Sequence, residues 1–474
     1  MNQIHRPTVV ALLLAGSFIA ILNQTLMITA IPPIIIEMGI TANSAQWLTT
    51  VFMLVNGIMI PVSAFLIERF TTRQLFMSAM GIFAIGTLVA GLSPVFEMLL
   101  VGRVIQSIGA GVMLPLMTTV FLLIFPINRR GSVMGLIGLV ISFAPAIGPA
   151  LSGWVTGHFS WRYLFFIIFP IAVIDMIVAY FALKNVTEVK KTKLDVLSII
   201  LSSFGFGGIL YGVTNAGNYG WGAPITLITL AIGIISLMLF ILRQLKLTHP
   251  MLEFRVFKYA IFPFSVFIGS ITFMGLIGTE TLIPLFMQNM REFSAFQAGM
   301  AMLPGALVTG LLAPVIGRMF DRHGGKWIVL PGVVIITLAT VPFIFIDTET
   351  TFVFITILYA IRMFGLALIM MPIQTAALNQ LPNDLIPHGA AMDGTMRMTA
   401  ASVGTAVLVS VMTSVESMAE NHVARPDILG VNVSFAVIAV LALCTIIAYF
   451  FIKFDPSPAK VAKVERNRSD KEFK

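Results

Sequence analysis

Apolar residues in this chain run in long unbroken blocks and do not alternate with polar ones. No Asp, Glu, Lys or Arg occurs in 7–36, 38–67, 74–96, 104–128, 131–161, 196–242, 293–317, 327–346 or 428–452. A helix crossing a bilayer needs about 20 mostly apolar residues, and each block supplies that length. The block 196–242 is long enough for two spans. It is cut by Asn215-Ala-Gly-Asn-Tyr-Gly-Trp-Gly-Ala-Pro224, which reads as a tight exposed loop. Further spans carry one or two isolated charges. The pattern predicts 14 helices, at 8–31, 46–67, 74–94, 98–125, 131–156, 163–183, 196–213, 224–242, 261–288, 296–317, 326–346, 352–373, 388–414 and 430–452. A membrane β-barrel would show short alternating segments, which are absent. The first apolar run is longer than the core of a secretory signal, and no clear cleavage site follows it, so the first helix is expected to be retained.

Composition agrees. Of 474 residues, 58% are hydrophobic and 11% charged, against roughly 25% charged in soluble domains. Mean hydropathy is +0.97. A polytopic membrane protein is the class that fits. Disorder and nucleic-acid binding are excluded as main themes. The single cysteine, Cys444, rules out an internal disulfide framework and a multi-cysteine metal site, and no metal is expected. With an even helix count both ends lie on one side. That side collects 23 of the 29 Lys and Arg, and the other holds only Arg162, Arg291 and Arg425. The positive-inside rule then predicts cytoplasmic termini. The net charge of +8 is thus a topology signal and does not imply an acidic partner.

Two motifs recur. Ala64-Phe-Leu-Ile-Glu68-Arg69-Phe-Thr71-Thr-Arg73 follows the second span, and Gly317-Arg-Met-Phe-Asp321-Arg322-His-Gly324-Gly325-Lys326 follows the tenth; their acids are 253 residues apart. Arg103, followed by Gly109, Gly111 and Pro115, is matched 259 residues later by Arg362, followed by Gly365 and Pro372. Near-equal offsets point to duplicated halves, a common construction in transporters. The expected division is a six-helix bundle over 1–190, an inserted helix pair over 191–258, a second six-helix bundle over 259–452 and a basic cytoplasmic tail over 453–474.

These residues resemble the major facilitator superfamily, in particular the 14-helix drug:proton antiporters of the EmrB/QacA type. The loop motif G-x-L-a-D-x-x-G-r-k is close at 317–326 and degraded at 64–73, where Ala64, Glu68 and Thr71 replace Gly, Asp and Gly. The R-x-x-Q-G-x-G motif appears as Arg103-Val-Ile-Gln106-Ser107-Ile-Gly109. The antiporter motif appears as Ala144-Pro145-Ala-Ile-Gly148-Pro149-Ala-Leu-Ser-Gly153, followed by Trp161-Arg162-Tyr163 and Pro170. The resemblance covers 8–452. It implies an all-α major facilitator fold, with two pseudo-symmetric six-helix bundles plus two inserted helices. It also implies a monomer in the bacterial plasma membrane that exchanges cytoplasmic amphiphilic or cationic drugs for external protons by alternating access. Drugs, protons and membrane lipids are the implied partners, with no cofactor and no nucleic acid. The alternative is an exporter of one specific solute, such as an antibiotic, siderophore or metabolite. No G-x-x-x-x-G-K-[ST] loop occurs, which disfavours a nucleotide-driven pump. The six His all lie in or beside loops, which argues against an enzyme.

Ionisable residues inside spans are costly and usually face the bundle interior or a water-filled path. Arg103, Asp175, Glu280, Arg362, Asp393 and Arg397 are such residues. Glu280 can hold a proton or attract a cation; the alternative is a structural Glu satisfied by neighbouring hydroxyls. Asp393 and Arg397, one helical turn apart, are either a coupling pair or a structural ion pair. The family commonly places an Asp in its first helix, where this chain has Asn23, so proton coupling is expected to use Glu280, Asp393 or both. Arg103 and Arg397 are assigned to the proton relay, with snorkelling as the alternative for Arg103. Asn23, Gln106 and Arg362 are assigned to the substrate cavity. Glu68, Arg73, Asp321, Arg322 and Lys326 form the implied conformational latch, with Asp321 capping a helix start and pairing with a cation. Pro145, Gly148, Pro149 and Gly153 should permit close packing and a bend. Trp47, Trp154 and Trp161 read as interface anchors.

Overall fold

The computed structural model describes residues 6–187, 189–190, 195–420, 422–452 and 454. The fold is all helical, with 14 helices long and apolar enough to cross a membrane among the described residues. They are α1 (Arg6–Met38), α2 (Ala42–Arg69), α3 (Thr72–Gly91), α4 (Phe96–Ile124), α5 (Ile127–His158), α6 (Arg162–Ala182), α7 (Val196–Tyr219), α8 (Pro224–Lys246), α9 (Ile261–Leu285), α10 (Ala295–His323), α11 (Lys326–Thr340), α12 (Phe352–Asn379), α13 (Ile386–Ala419) and α14 (Pro426–Phe450). A π turn over Phe286–Met290 extends α9, and a 3-10 turn over Val341–Phe345 extends α11.

Several ends are set by side chains that satisfy otherwise orphaned backbone donors. Thr71 with Gln74, and Ser294 with Gln297, form reciprocal capping boxes at the starts of α3 and α10. At the other end of α10, Gly324 takes φ 81°, a backbone conformation that glycine reaches without steric cost.

The helices outrun the apolar blocks. α7 continues through Tyr219, so the loop expected from Asn215 shrinks to 220–223, and Asn215 is buried in the helix. α1 runs on past Pro32 and Pro33 to Met38. Its end is tied down by Glu37, which accepts from Trp161 Nε1 at 2.8 Å and pairs with Arg162. The Arg162 hydrogen bond holds the Glu37 carboxyl below its ordinary range. Trp161 is 1% exposed, so it is a packed side chain and not the interface anchor expected. Trp154 is exposed.

α7 and α8 pack on each other through Gly208 and Gly233, and α7 leans on α2 and α13. α8 turns Ile228, Ile232, Ile235 and Leu239 outward, as a lipid-facing helix would. Arg243 pairs with Asp195 at 2.8 Å, closing the base of this pair.

α5 and α10 make the tightest contact between the first six and the last six helices, and glycines allow it. A Cβ on Gly131 would stand 2.6 Å from the Gly317 carbonyl oxygen, and one on Gly135 2.9 Å from the Cα of Pro314. Small residues are what let membrane helices approach this closely. Gly135→Leu is therefore expected to cost about 1–3 kcal/mol in packing. The check is a lower unfolding midpoint in detergent, together with lost transport.

Candidate functional site

Arg103, on α4, is fully buried. Its Nε donates to the Leu48 carbonyl at 3.2 Å. One terminal nitrogen donates to Asn23 Oδ1 at 3.2 Å and Gln106 Oε1 at 3.0 Å. The guanidinium also stands over the Phe52 ring, 4.3 Å from its centroid. The guanidinium thus stays inside the bundle and does not snorkel. Gln106 passes the chain on to Thr87 Oγ1 at 2.8 Å, and Thr87 donates to the Phe83 carbonyl. Asn23 thereby supplies a carbonyl oxygen where the resembled family has a carboxylate.

The second half repeats this arrangement with a different charge balance. Arg362, on α12, is also buried; it donates to Thr340 Oγ1 at 3.3 Å and to the Gly275 carbonyl of α9 at 2.8 Å. Glu280, on α9, lies within electrostatic reach of Arg362 and of buried Tyr359. It stands 257 positions after Asn23, inside the range of the two repeat offsets. By that offset it corresponds to Asn23, a carboxyl in the electrostatic range of an arginine where the first half has an amide bonded to one. The hydroxyls on either side, Thr279 and Thr281, donate back to the Gly275 and Ile277 carbonyls of their own helix. Among the described residues none donates a hydrogen bond to the Glu280 carboxyl, so the alternative of a Glu satisfied by neighbouring hydroxyls fails.

Asp393 and Arg397, on α13, form a buried ion pair at 3.0 Å, and Gln374 Nε2 donates to Asp393 Oδ2 at 2.7 Å. Arg397 lies against Gly269 of α9, where a Cβ would come within 3.1 Å of its guanidinium. This acid is committed to two partners, unlike Glu280. Asp393→Asn would leave Arg397 buried and unpaired, a loss of about 3–5 kcal/mol. Its expected signature is a lower unfolding midpoint, with Arg397→Met added to the same chain restoring much of it. Asp175, on α6, is buried against Gly16 of α1, with Oδ2 unbonded.

The latch residues separate. Asp321 sits in the last turn of α10, not at a helix start. It takes the Gly131 N–H at 2.7 Å, the Ser132 N–H at 2.8 Å and the Ser132 hydroxyl, all from α5. It pairs with no cation among the described residues; Arg322 is exposed, and Lys326 lies near the Trp327 ring. Arg73 also stands apart, over the Tyr180 ring at 4.4 Å. Glu68 makes a second bridge between halves, with His388 Nε2 of α13 at 3.3 Å, and within its own half it pairs with Lys190 Nζ at 2.6 Å. Arg130 adds a third, donating to Asn379 Oδ1 at 3.2 Å. All three bridges lie at the end where α1 begins and α14 finishes.

In the helix-5 motif, Gly148 lets Thr25 of α1 come close, and the Thr25 hydroxyl lies 3.4 Å from the Ala144 carbonyl. Pro145 and Pro149 are inside α5. Gly153 faces open space, so it takes no part in the close packing expected of it. Sequence reasoning missed Thr87, Thr340, Tyr359, Gln374 and His388. His388 carried the clearest signal, because it sits at the start of a span, 320 residues after Glu68.

Comparison with known proteins adds four likenesses. The profile of the Major Facilitator Superfamily matches residues 13–405. The chain is 52% identical to the uncharacterized MFS-type transporter YcnB of Bacillus subtilis (strain 168), over 96% of this chain and 97% of that protein. It is 42% identical to the lincomycin resistance protein LmrB of the same organism, over 94% and 95% respectively. Among solved structures, the human organic anion transporter MFSD10 (TETRAN) superposes with a TM-score of 0.69 at 14% identity, covering 94% of this chain and 100% of that one. That last likeness speaks for the fold alone.

Proposed function

The chain belongs to the major facilitator superfamily, in its 14-helix EmrB/QacA-type branch, and from that premise we propose that it exports amphiphilic or cationic drugs in exchange for protons. It is a multi-pass membrane transporter and not an enzyme. The observation that carries the finer reading is Glu280, an intramembrane carboxyl in the electrostatic range of Arg362 that no hydrogen-bond donor claims among the described residues. Such a carboxyl is free to hold a proton or to face a cationic drug, and it cannot do both at once. In this reading the two occupancies exclude each other, which couples the fluxes. With a monocationic drug, a protonated Glu280 and an ionised Glu280 facing the drug both leave the site neutral, so a one-for-one exchange is driven by the pH difference. With a neutral amphiphilic drug the two states differ by one charge, on which the membrane potential acts at about 2.3 kcal/mol per 100 mV. Asn23 leaves the first half without a matching acid, so one carboxyl sets the coupling, and Asp393 with Arg397 positions α13 against α9.

The remaining assignments follow the same reading. The units 1–190 and 259–452 rock about the central site, with 191–258 as the inserted pair. The end carrying the termini faces the cytoplasm of a bacterial cell, on the strength of the Lys and Arg asymmetry. Asp321 and Glu68 hold that end shut, so the conformation described is the one loaded from outside.

The test is collapse of an imposed proton gradient in proteoliposomes on adding cationic drugs, with lincomycin tried beside them because of the name borne by the 42% identical relative. Flux with several cationic drugs is the expected result. Flux with lincomycin alone favours the single-solute reading, and drug uptake that leaves the proton gradient intact overturns the coupling.

A further inference from the structure

At the end of the bundle where α1 and α5 begin and α10 ends, a cavity of about 560 Å³ opens between the two halves. Arg6, Arg129 and Arg318 line it together with Val10, Leu136 and Pro314, and no acid does. Arg6 and Arg129 belong to the first half and Arg318 to the second. Arg318 Nε donates to the Pro314 carbonyl at 3.3 Å, and the Arg6 guanidinium lies 5.7 Å from the Phe125 ring centroid. Among the described residues none of the three pairs with a carboxylate, although every acid that bridges the halves nearby has found a partner. Three cations gathered on one partly apolar cavity repel one another unless an anion joins them. Guanidinium groups favour phosphate oxygens in particular, because their donors match that geometry.

Arg6 and Arg129 stand in the first turns of α1 and α5 and Arg318 in the last turns of α10, at the ends of apolar spans, with Val10 and Leu136 as aliphatic wall beside them. That is the chemistry of an anion on an apolar body. We propose that this cavity binds the phosphate headgroup of an anionic phospholipid from the adjoining leaflet, its acyl chain lying along Val10 and Leu136. Ser132 lines the same cavity and gives its hydroxyl to Asp321, so the lipid sits directly beside the α5–α10 bridge. A ligand that touches both halves in the closed arrangement favours that arrangement by its extra affinity for it. The lipid is therefore a clamp on the end carrying the termini, and it acts whichever solute is carried.

The test uses the full chain purified in detergent and titrated with phosphatidylglycerol, phosphatidylcholine and inorganic phosphate, bound lipid being counted by native mass spectrometry. Phosphatidylglycerol is expected to bind at least about tenfold tighter than phosphatidylcholine. Each of Arg6→Gln, Arg129→Gln and Arg318→Gln should weaken it about fivefold, and the three together should abolish the preference. The triple Arg→Lys chain should keep only part of it, because lysine retains the charge but lacks the guanidinium geometry. Leu136→Trp fills the cavity without touching charge and should also expel the lipid, which covers the case in which the triple Gln chain fails to fold. An unchanged preference in the triple Gln chain, or in Leu136→Trp, overturns the proposal. Displacement of phosphatidylglycerol by millimolar inorganic phosphate overturns the lipid assignment in favour of a free-anion site.

Discussion

Glu280→Gln is expected to lower drug-evoked proton flux in proteoliposomes by about two orders of magnitude or more, while leaving the protein folded. The size follows from what coupling demands. Driving a two-state carrier from almost all one state to almost all the other takes a ligand that discriminates between them by about 10⁴-fold, and an amide at Glu280 binds no proton with which to discriminate. The folding expectation follows from the surroundings. No donor among the described residues addresses the carboxyl, and the Arg362 Nε and one terminal nitrogen keep their bonds to Thr340 and the Gly275 carbonyl while the other terminal nitrogen has no partner in either case. A near-isosteric amide therefore breaks no hydrogen bond. Glu280→Asp keeps the titratable group and should retain measurable coupling, at a rate reduced by its shorter reach. Asp393→Asn should do the reverse, losing stability first, because that acid is the partner of a buried cation. Full flux in Glu280→Gln would refute the assignment, whatever the fate of Asp393.

How much of this was legible beforehand depended on the range of the interaction. Spans were legible, since a run of about 20 apolar residues has few other uses. Their ends were not. Asn215 reads as a loop residue, yet it is buried within α7, because tertiary contact overrides local turn propensity. The intramembrane acids and arginines stood out as charges in hydrocarbon, and the repeat offsets paired Arg103 with Arg362. The same offsets contained the pairing of Asn23 with Glu280, but only the packing of α4 on α1 and of α12 on α9 gave it meaning. The latch was the hardest to read. Asp321 was identifiable from its motif, but its partners lie 190 and 189 residues away and are mostly backbone donors, which leave no mark in a sequence. Charge matching instead pointed to Arg322 and Lys326, its sequence neighbours, which the helical turn carries away from it.

That misreading changes what breaking the latch should do. A salt bridge to exposed arginines would be worth less than about 1 kcal/mol, and its loss would hardly register. Asp321 instead holds three donors of α5 from a buried position. Hydrogen bonds to a charged group contribute about 1.5–3 kcal/mol each, and the three are not independent, so Asp321→Ala is expected to cost the closed arrangement about 3–5 kcal/mol. At about 1.4 kcal/mol per decade this is a shift of 100-fold or more towards opening at the end that carries the termini. Glu68→Gln should shift it less, because only its single contact with His388 at 3.3 Å crosses between the halves. Cys444 is the only cysteine, so Cys444→Ser gives a clean background for spin labels placed on α5 and α10. Distances across that end should lengthen in Asp321→Ala, with Arg322→Ala as a control that leaves them unchanged. The opposite ranking would restore the charge-pair latch and remove the backbone bridge from the mechanism.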